Sequence, residues 1–235
     1  MKKIITLLGL FVAILPLMAQ TDDGELVISN NSIGTVKKNV FFVGPKIGAT
    51  FTSMTQPEEG NLYDAMGIGF SGGVAAKLRF GQASENSYGG TGIFGVGLEL
   101  KYKQNNVKTT GSDNLSIGYF EIPVTAQLYP FYKSRGLNTL YIEVGVDMAF
   151  GLTASPDELS FSPDNGVYNN VTYKTGDLKA SDVRIPVGIG YTIPKTGLDI
   201  NIRYYIGTSK LAKNFSSKMN TLEVSLAWLF KAGGF

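Results

Sequence analysis

Residues 91–103 read Thr-Gly-Ile-Phe-Gly-Val-Gly-Leu-Glu-Leu-Lys-Tyr-Lys, and the fold turns on how they alternate. Phe94, Val96, Leu98, Leu100 and Tyr102 fall on one side of an extended chain. Gly95, Gly97, Glu99, Lys101 and Lys103 fall on the other. Successive strand side chains point to opposite faces, so this segment has one greasy surface and one small, polar surface. A helical period of 3.6 would mix the two sets.

Working outward, the same period places strands near 40–52, 67–80, 91–103, 115–129, 138–152, 181–193, 197–208 and 219–230. In the fifth, Leu140, Ile142, Val144, Val146, Met148 and Phe150 oppose Tyr141, Glu143, Gly145, Asp147 and Ala149. In the seventh, Leu198, Ile200, Ile202, Tyr204 and Ile206 oppose Asp199, Asn201, Arg203, Tyr205 and Gly207. The eighth sets Leu222, Val224, Leu226, Trp228 and Phe230 against Thr221, Glu223, Ser225 and Ala227. Each strand reaches the roughly 9–11 tilted residues that cross a bilayer. Connections 81–90, 132–137 and 194–196 are shorter on average than 53–66, 104–114, 153–180 and 209–218. Short turns at one rim and long loops at the other are the habit of outer-membrane barrels. The expected fold is therefore all-β: an eight-stranded antiparallel up-and-down transmembrane β-barrel occupying 40–235.

Alternation does not say which face looks out, since a soluble lipocalin-like barrel alternates as well. Side-chain size decides. The polar face carries Gly44, Gly48, Gly69, Gly73, Gly95, Gly97, Gly145, Gly188 and Gly190. Glycine weakens a strand and brings a solvated surface nothing, whereas the interior of an eight-stranded barrel has little room. The bulky residues then face lipid, with Phe41, Phe51, Phe80, Tyr191, Trp228 and Phe230 near strand ends, where an interfacial girdle is expected. Lys46, Lys77, Arg79, Lys101, Arg184 and Arg203 share the polar face with Glu99, Glu121, Glu143, Asp147, Asp199 and Glu223. Six charges of each sign can pair, and pairing offsets the cost of burying them. We expect this ionic set to fill the lumen as structure, not to line an open pore. Pro45, Pro123 and Pro186 fall inside strands and lack a donor, so bulges are expected there, above all at 122–124 and 185–187.

The first 19 residues read as a signal peptide. Lys2 and Lys3 precede an apolar run from Ile4 to Met18, and Ala19 offers a small residue for cleavage. Residues 20–39 read as a polar periplasmic lead-in. Loss of Lys2 and Lys3 lowers the basic count from 21 to 19, equal to the 19 acids, so nothing points to nucleic acid. No later run could form a spanning helix, so membrane insertion must use strands.

Segments 44–51 (GPKIGATF), 97–103 (GLELKYK), 119–124 (YFEIPV), 141–145 (YIEVG) and 222–230 (LEVSLAWLF) resemble the PorT-like outer-membrane β-barrel family of the Bacteroidota. The likeness spans roughly 40–230 and is most specific at Glu121-Ile-Pro-Val124; the four residues between Phe230 and Phe235 depart from it. It implies an outer-membrane barrel embedded among outer-membrane lipids and assembled by the cell's barrel-insertion machinery. It also implies a link to protein secretion, through the family's namesake, and no catalytic motif.

The composition argues against chemistry. There is no cysteine, hence no thiol catalysis or disulfide framework, and no histidine to activate a serine. Ser209-Lys210 reads as exposed loop, not as a nucleophile and base. Asp157, Glu158, Asp164, Asn165 and Asp177 supply oxygen atoms to loop 153–180, but their spacing matches no calcium loop. Gly67-Ile-Gly69 and Gly95-Val-Gly97 lie in strands without a following helix, which removes the nucleotide reading. No enzyme activity, cofactor or metal is expected. The expected role is a structural or interaction scaffold, presenting loops such as 104–114 and 153–180 to an external ligand or secretion partner. Narrow porin-like transport of small solutes or ions is the alternative, and a secreted soluble lipid-binding barrel is a third reading.

Overall fold

The computed structural model describes residues 39–55, 63–81, 92–110, 114–134, 136–161, 171–174, 181–211 and 217–234. The expected signal peptide 1–19 and, apart from Asn39, the expected lead-in 20–39 lie outside them. The strands are β1 (Val40–Met54), β2 (Tyr63–Arg79), β3 (Phe94–Thr109), β4 (Leu115–Leu128) and β5 (Leu140–Ser155). A small hairpin, β6 (Glu158–Phe161) and β7 (Val171–Lys174), follows. Then come β8 (Ser181–Thr192), β9 (Leu198–Gly207), β10 (Met219–Trp228) and β11 (Phe230–Gly234).

The main sheet runs β10-β9-β8-β5-β4-β3-β2-β1-β11, all antiparallel, and β1 also pairs with β10, which closes the cylinder. β11 continues β10 after a break at Leu229 and pairs with the first residues of β1. Counted as one interrupted stave, they complete the eight-stranded barrel. Closure leaves no open edge, so the backbone groups of every stave have a partner strand on each side.

Polarity runs as the glycine argument requires. Ile47 is 66% exposed and Ile68 67%, while Arg203 is 2% and Glu223 0%. On β9 the outward apolar side chains run from Leu198 to Ile206. That stretch advances about 27 Å at roughly 3.4 Å per residue and rises about 21 Å at a tilt of roughly 40°, close to the roughly 25 Å apolar band of such barrels. On β3 the outward face turns polar past Tyr102. Gln104 Nε2 donates to Ser116 Oγ at 2.9 Å and Asn106 Nδ2 to the Ile68 carbonyl at 2.7 Å, marking where the strands leave the apolar band.

Three expectations are corrected. The prolines carry no bulge. β3–β4 pairing skips from Leu98–Val124 to Lys101–Glu121, and β5–β8 pairing from Val144–Val187 to Asp147–Arg184, both without a register shift. Each proline lacks its N–H toward one neighbour only, so Pro123–Asp147, Pro186–Tyr205 and Pro45–Val74 remain paired on the other side. Register shifts fall elsewhere: between Gly118 and Tyr119, between Met66 and Ser71 across Gly67 and Gly69, where Phe41 meets Gly233, and between Tyr63 and Ala65, the one of the four with no glycine beside it. Second, the strands outrun the expected loops. Residues 53–54 and 63–66 are strand, 104–109 belongs to β3, and 153–155 belongs to β5. Third, connection 153–180 holds hairpin β6–β7.

Candidate functional site

The lumen gathers the charged residues of the polar face. Every one of the twelve expected there is buried, on the interior side of its strand. The pairs mostly bridge the cylinder between staves that are not neighbours. Lys46 on β1 meets Glu99 on β3 at 2.7 Å, Lys77 on β2 meets Asp199 on β9 at 2.6 Å, and Lys101 on β3 meets Glu223 on β10 at 2.7 Å. Arg203 on β9 spans two acids, Glu143 on β5 at 2.6 Å and Glu99 at 2.9 Å. Arg184 on β8 meets Glu121 on β4 at 2.7 Å.

The remaining two of the twelve are Arg79 and Asp147. Arg79 donates to the Gly92 carbonyl at 2.8 Å and stacks its guanidinium 3.9 Å from the centre of the Tyr129 ring. Asp147 is fully buried and neither carboxylate oxygen has a hydrogen-bond partner, although Arg184 lies directly across in the register. Arg184 is committed elsewhere, to Glu121 and to Asp182 at 3.0 Å.

The list drawn from sequence omitted Lys103 and Asp182. Lys103 sits 3.1 Å from Glu121, with its ammonium 3.2 Å from the centre of the Tyr205 ring. Both residues share the parity of their strand's lumen charges, a signal already present in the sequence. Tyrosines and amides complete the network. Tyr141 Oη receives Lys77 Nζ at 2.6 Å and donates to Asp199 Oδ2 at 3.0 Å. Tyr205 Oη receives Lys101 at 2.6 Å and Arg203 at 3.0 Å. Glu143 also accepts from Asn201, Thr125 and Gln127 at 2.8, 3.1 and 3.2 Å. The glycines make room for these groups. A β-carbon at Gly190 would fall 2.2 Å from both Cζ and Oη of Tyr141, and one at Gly97 would meet Thr125 Oγ1 and Gln127 Nε2.

Apolar plugs close both ends of this ionic core, which the sequence reading did not anticipate. At the long-loop end Met54, Val107, Leu115, Ile117, Leu211 and Met219 pack together. At the short-turn end Val40, Phe42, Ala75, Ala227 and Leu229 do the same. A cavity of about 10 Å³ beside Phe42, Lys77, Tyr129 and Thr192 has room for about one water molecule. The arrangement therefore sets its charges against one another within a plugged cylinder, where desolvation is offset only by good geometry.

No group of metal-ligating side chains occurs among the described residues. Of the loop oxygens weighed for calcium, only Asp157 has a described side chain, and it is exposed. Lys210 is exposed and Ser209 half-buried. In the girdle, Trp228, Phe230 and Phe41 are 57%, 50% and 39% exposed, while Phe51, Phe80 and Tyr191 are half-buried.

No curated protein sequence matches the chain significantly. Among solved structures it is similar to Ail, the attachment invasion locus protein of Yersinia pestis, solved in complex with the heparin analogue sucrose octasulfate. Identity is 14%, the TM-score is 0.43, and the match covers 81% of this chain and 99% of that one. Neisserial surface protein A is similar at 13% identity and a TM-score of 0.41, covering 81% and 96%. The outer membrane protein OprG from Pseudomonas aeruginosa gives 11% and 0.41, covering 82% and 97%. The profile of one family, the outer membrane protein beta-barrel domain, matches residues 18–213, most of the length. The chain belongs to that family, and its place is the outer membrane.

Proposed function

We propose that this barrel is a closed, non-conducting and non-enzymatic scaffold that displays its long connections to an external ligand or a secretion partner. The observation that carries the reading is the stack of apolar plug, ionic core and apolar plug along the barrel axis. Ions entering such a lumen would have to break buried pairs and cross two greasy caps, each step costing several kcal/mol. The strands β2 to β5 rise past the apolar band and carry hairpin β6–β7, a rigid base for recognition. Within its family we place the protein on the PorT-like branch of the Bacteroidota, on the strength of Glu121-Ile-Pro-Val124 and the closing Leu222–Phe230 strand. Assembly by the barrel-insertion machinery belongs to the same reading.

Planar-bilayer recording of the purified, folded protein tests closure: no unitary current is expected, and steady single-channel steps refute the reading in favour of porin-like transport. Crosslinking from single cysteines at Thr153 and Lys108 on intact cells tests display. A reproducible captured species is expected, and no captured species at either position removes the scaffold role.

A further inference from the structure

At the short-turn rim, two outward side chains are tied back to neighbouring turns. Tyr191 Oη donates to the Gly136 carbonyl at 2.7 Å, and Trp228 Nε1 donates to the Thr196 carbonyl at 3.1 Å. The Leu229 N–H adds a bond to the Gly197 carbonyl at 2.9 Å. These ties join the turns that follow β4 and β8 into a ledge along the outside of β4, β5, β8, β9 and β10. Its surface is apolar: Phe131, Leu137, Trp228 and Phe230 are all close to half exposed. The Trp228 and Phe230 rings stack at 5.8 Å.

The ledge is also of one sign. Its described turn segments, 129–134, 136–139 and 193–197, contain Lys133 and Lys195 and no aspartate or glutamate. Lys133 and Lys195 are exposed in the turns themselves. Among the described residues, the opposite arc of this rim, at Asn39, Phe80, Gly81, Gly92 and Ile93, exposes no charged side chain. The apolar part of the ledge is continuous with the lipid-facing belt, which favours a lipid over an acidic protein as the occupant. Aromatic rings belong at the headgroup level, and ammonium groups just beyond them meet phosphate.

We propose that this ledge is a seat for anionic phospholipid of the periplasmic leaflet, with phosphodiester groups at Lys133 and Lys195 and acyl chains against Phe131, Leu137 and Trp228. A zwitterionic headgroup brings its own cation toward the lysines, so the seat discriminates by headgroup charge.

The test uses the full folded protein in phosphatidylcholine vesicles containing a trace of spin-labelled phosphatidylglycerol or spin-labelled phosphatidylcholine. The motionally restricted fraction of each label is read by electron paramagnetic resonance. The expected preference for phosphatidylglycerol is roughly fivefold for each engaged ammonium, and it shrinks as salt is raised. Lys133→Gln with Lys195→Gln should bring the two labels to parity, while unheated gel mobility shows the barrel still folded. Lys210→Gln with Lys218→Gln, at the other rim, should leave the preference intact. Should the double variant fail to fold, either single variant should lose about fivefold. Equal restriction of both labels by the wild type overturns the proposal. So does a preference that survives loss of both ledge lysines, or one that the control pair abolishes.

Discussion

Replacing Arg203 with methionine probes the ionic core at the point where most strands converge. The substitution roughly keeps volume but removes a guanidinium that joins β9 to Glu143 on β5 and Glu99 on β3 and also donates to Tyr205. Removing one partner of a buried pair costs about 3–5 kcal/mol, because the remaining charge stays desolvated. Here Glu99 keeps Lys46, and Glu143 keeps Asn201, Thr125 and Gln127, which argues for the low end, about 3 kcal/mol. With a urea slope of roughly 2 kcal/mol per molar, the unfolding midpoint in vesicles should fall by about 1.5 M. Emission from Trp228, the one tryptophan of the chain, reports the transition, and unheated gel mobility gives the folded fraction. Adding Glu143→Gln removes the charge left behind, so the double variant should be more stable than the sum of the single effects by about 1 kcal/mol or more. A loss under about 1 kcal/mol together with additive behaviour would refute the reasoning. The lumen would then be wet enough to screen its charges, and the plugs would not exclude water.

Other substitutions separate the remaining parts of the argument. Asp147→Asn should cost under about 1 kcal/mol, because its oxygens have no hydrogen bond to lose, whereas Glu143→Gln should cost about 2–3 kcal/mol in the same urea titration. Gly190→Ala should cost about 2 kcal/mol by pushing the Tyr141 ring away from Lys77 and Asp199; Gly72→Ala, where a β-carbon meets nothing, should stay within about 0.5 kcal/mol. Val144→Arg, on the lipid face of β5, should cost about 2–4 kcal/mol in vesicles, while Ser116→Arg beyond the apolar band should cost about 0–1 kcal/mol.

How much was legible can be followed residue by residue. The parity of Phe94 to Lys103 already assigns each side chain to a face, and Gly97, Gly145 and Gly190 mark the crowded one. Period-2 alternation is a local property that survives without any knowledge of neighbours. The proline bulges failed as an expectation because a missing donor affects one neighbouring stave only, which cannot be seen without knowing which neighbour lies on which side. Strand ends failed at 104–109 and 153–155 because polar residues such as Gln104 and Thr153 read as loop, although the ladder continues above the membrane where polar side chains cost nothing.

From the order of its residues alone the chain determined a barrel with alternating faces, a hydrocarbon-facing exterior and a charge-balanced interior, because strand geometry converts parity directly into side-chain direction. Only the closed cylinder decided who pairs with whom. Arg203 finds Glu99 and Lys101 finds Glu223 across the lumen, Asp147 is left without a hydrogen bond beside Arg184, and the plugs of Met54 and Phe42 seal the ends. Those contacts depend on curvature and register, which bring residues more than a hundred positions apart within about 3 Å of one another.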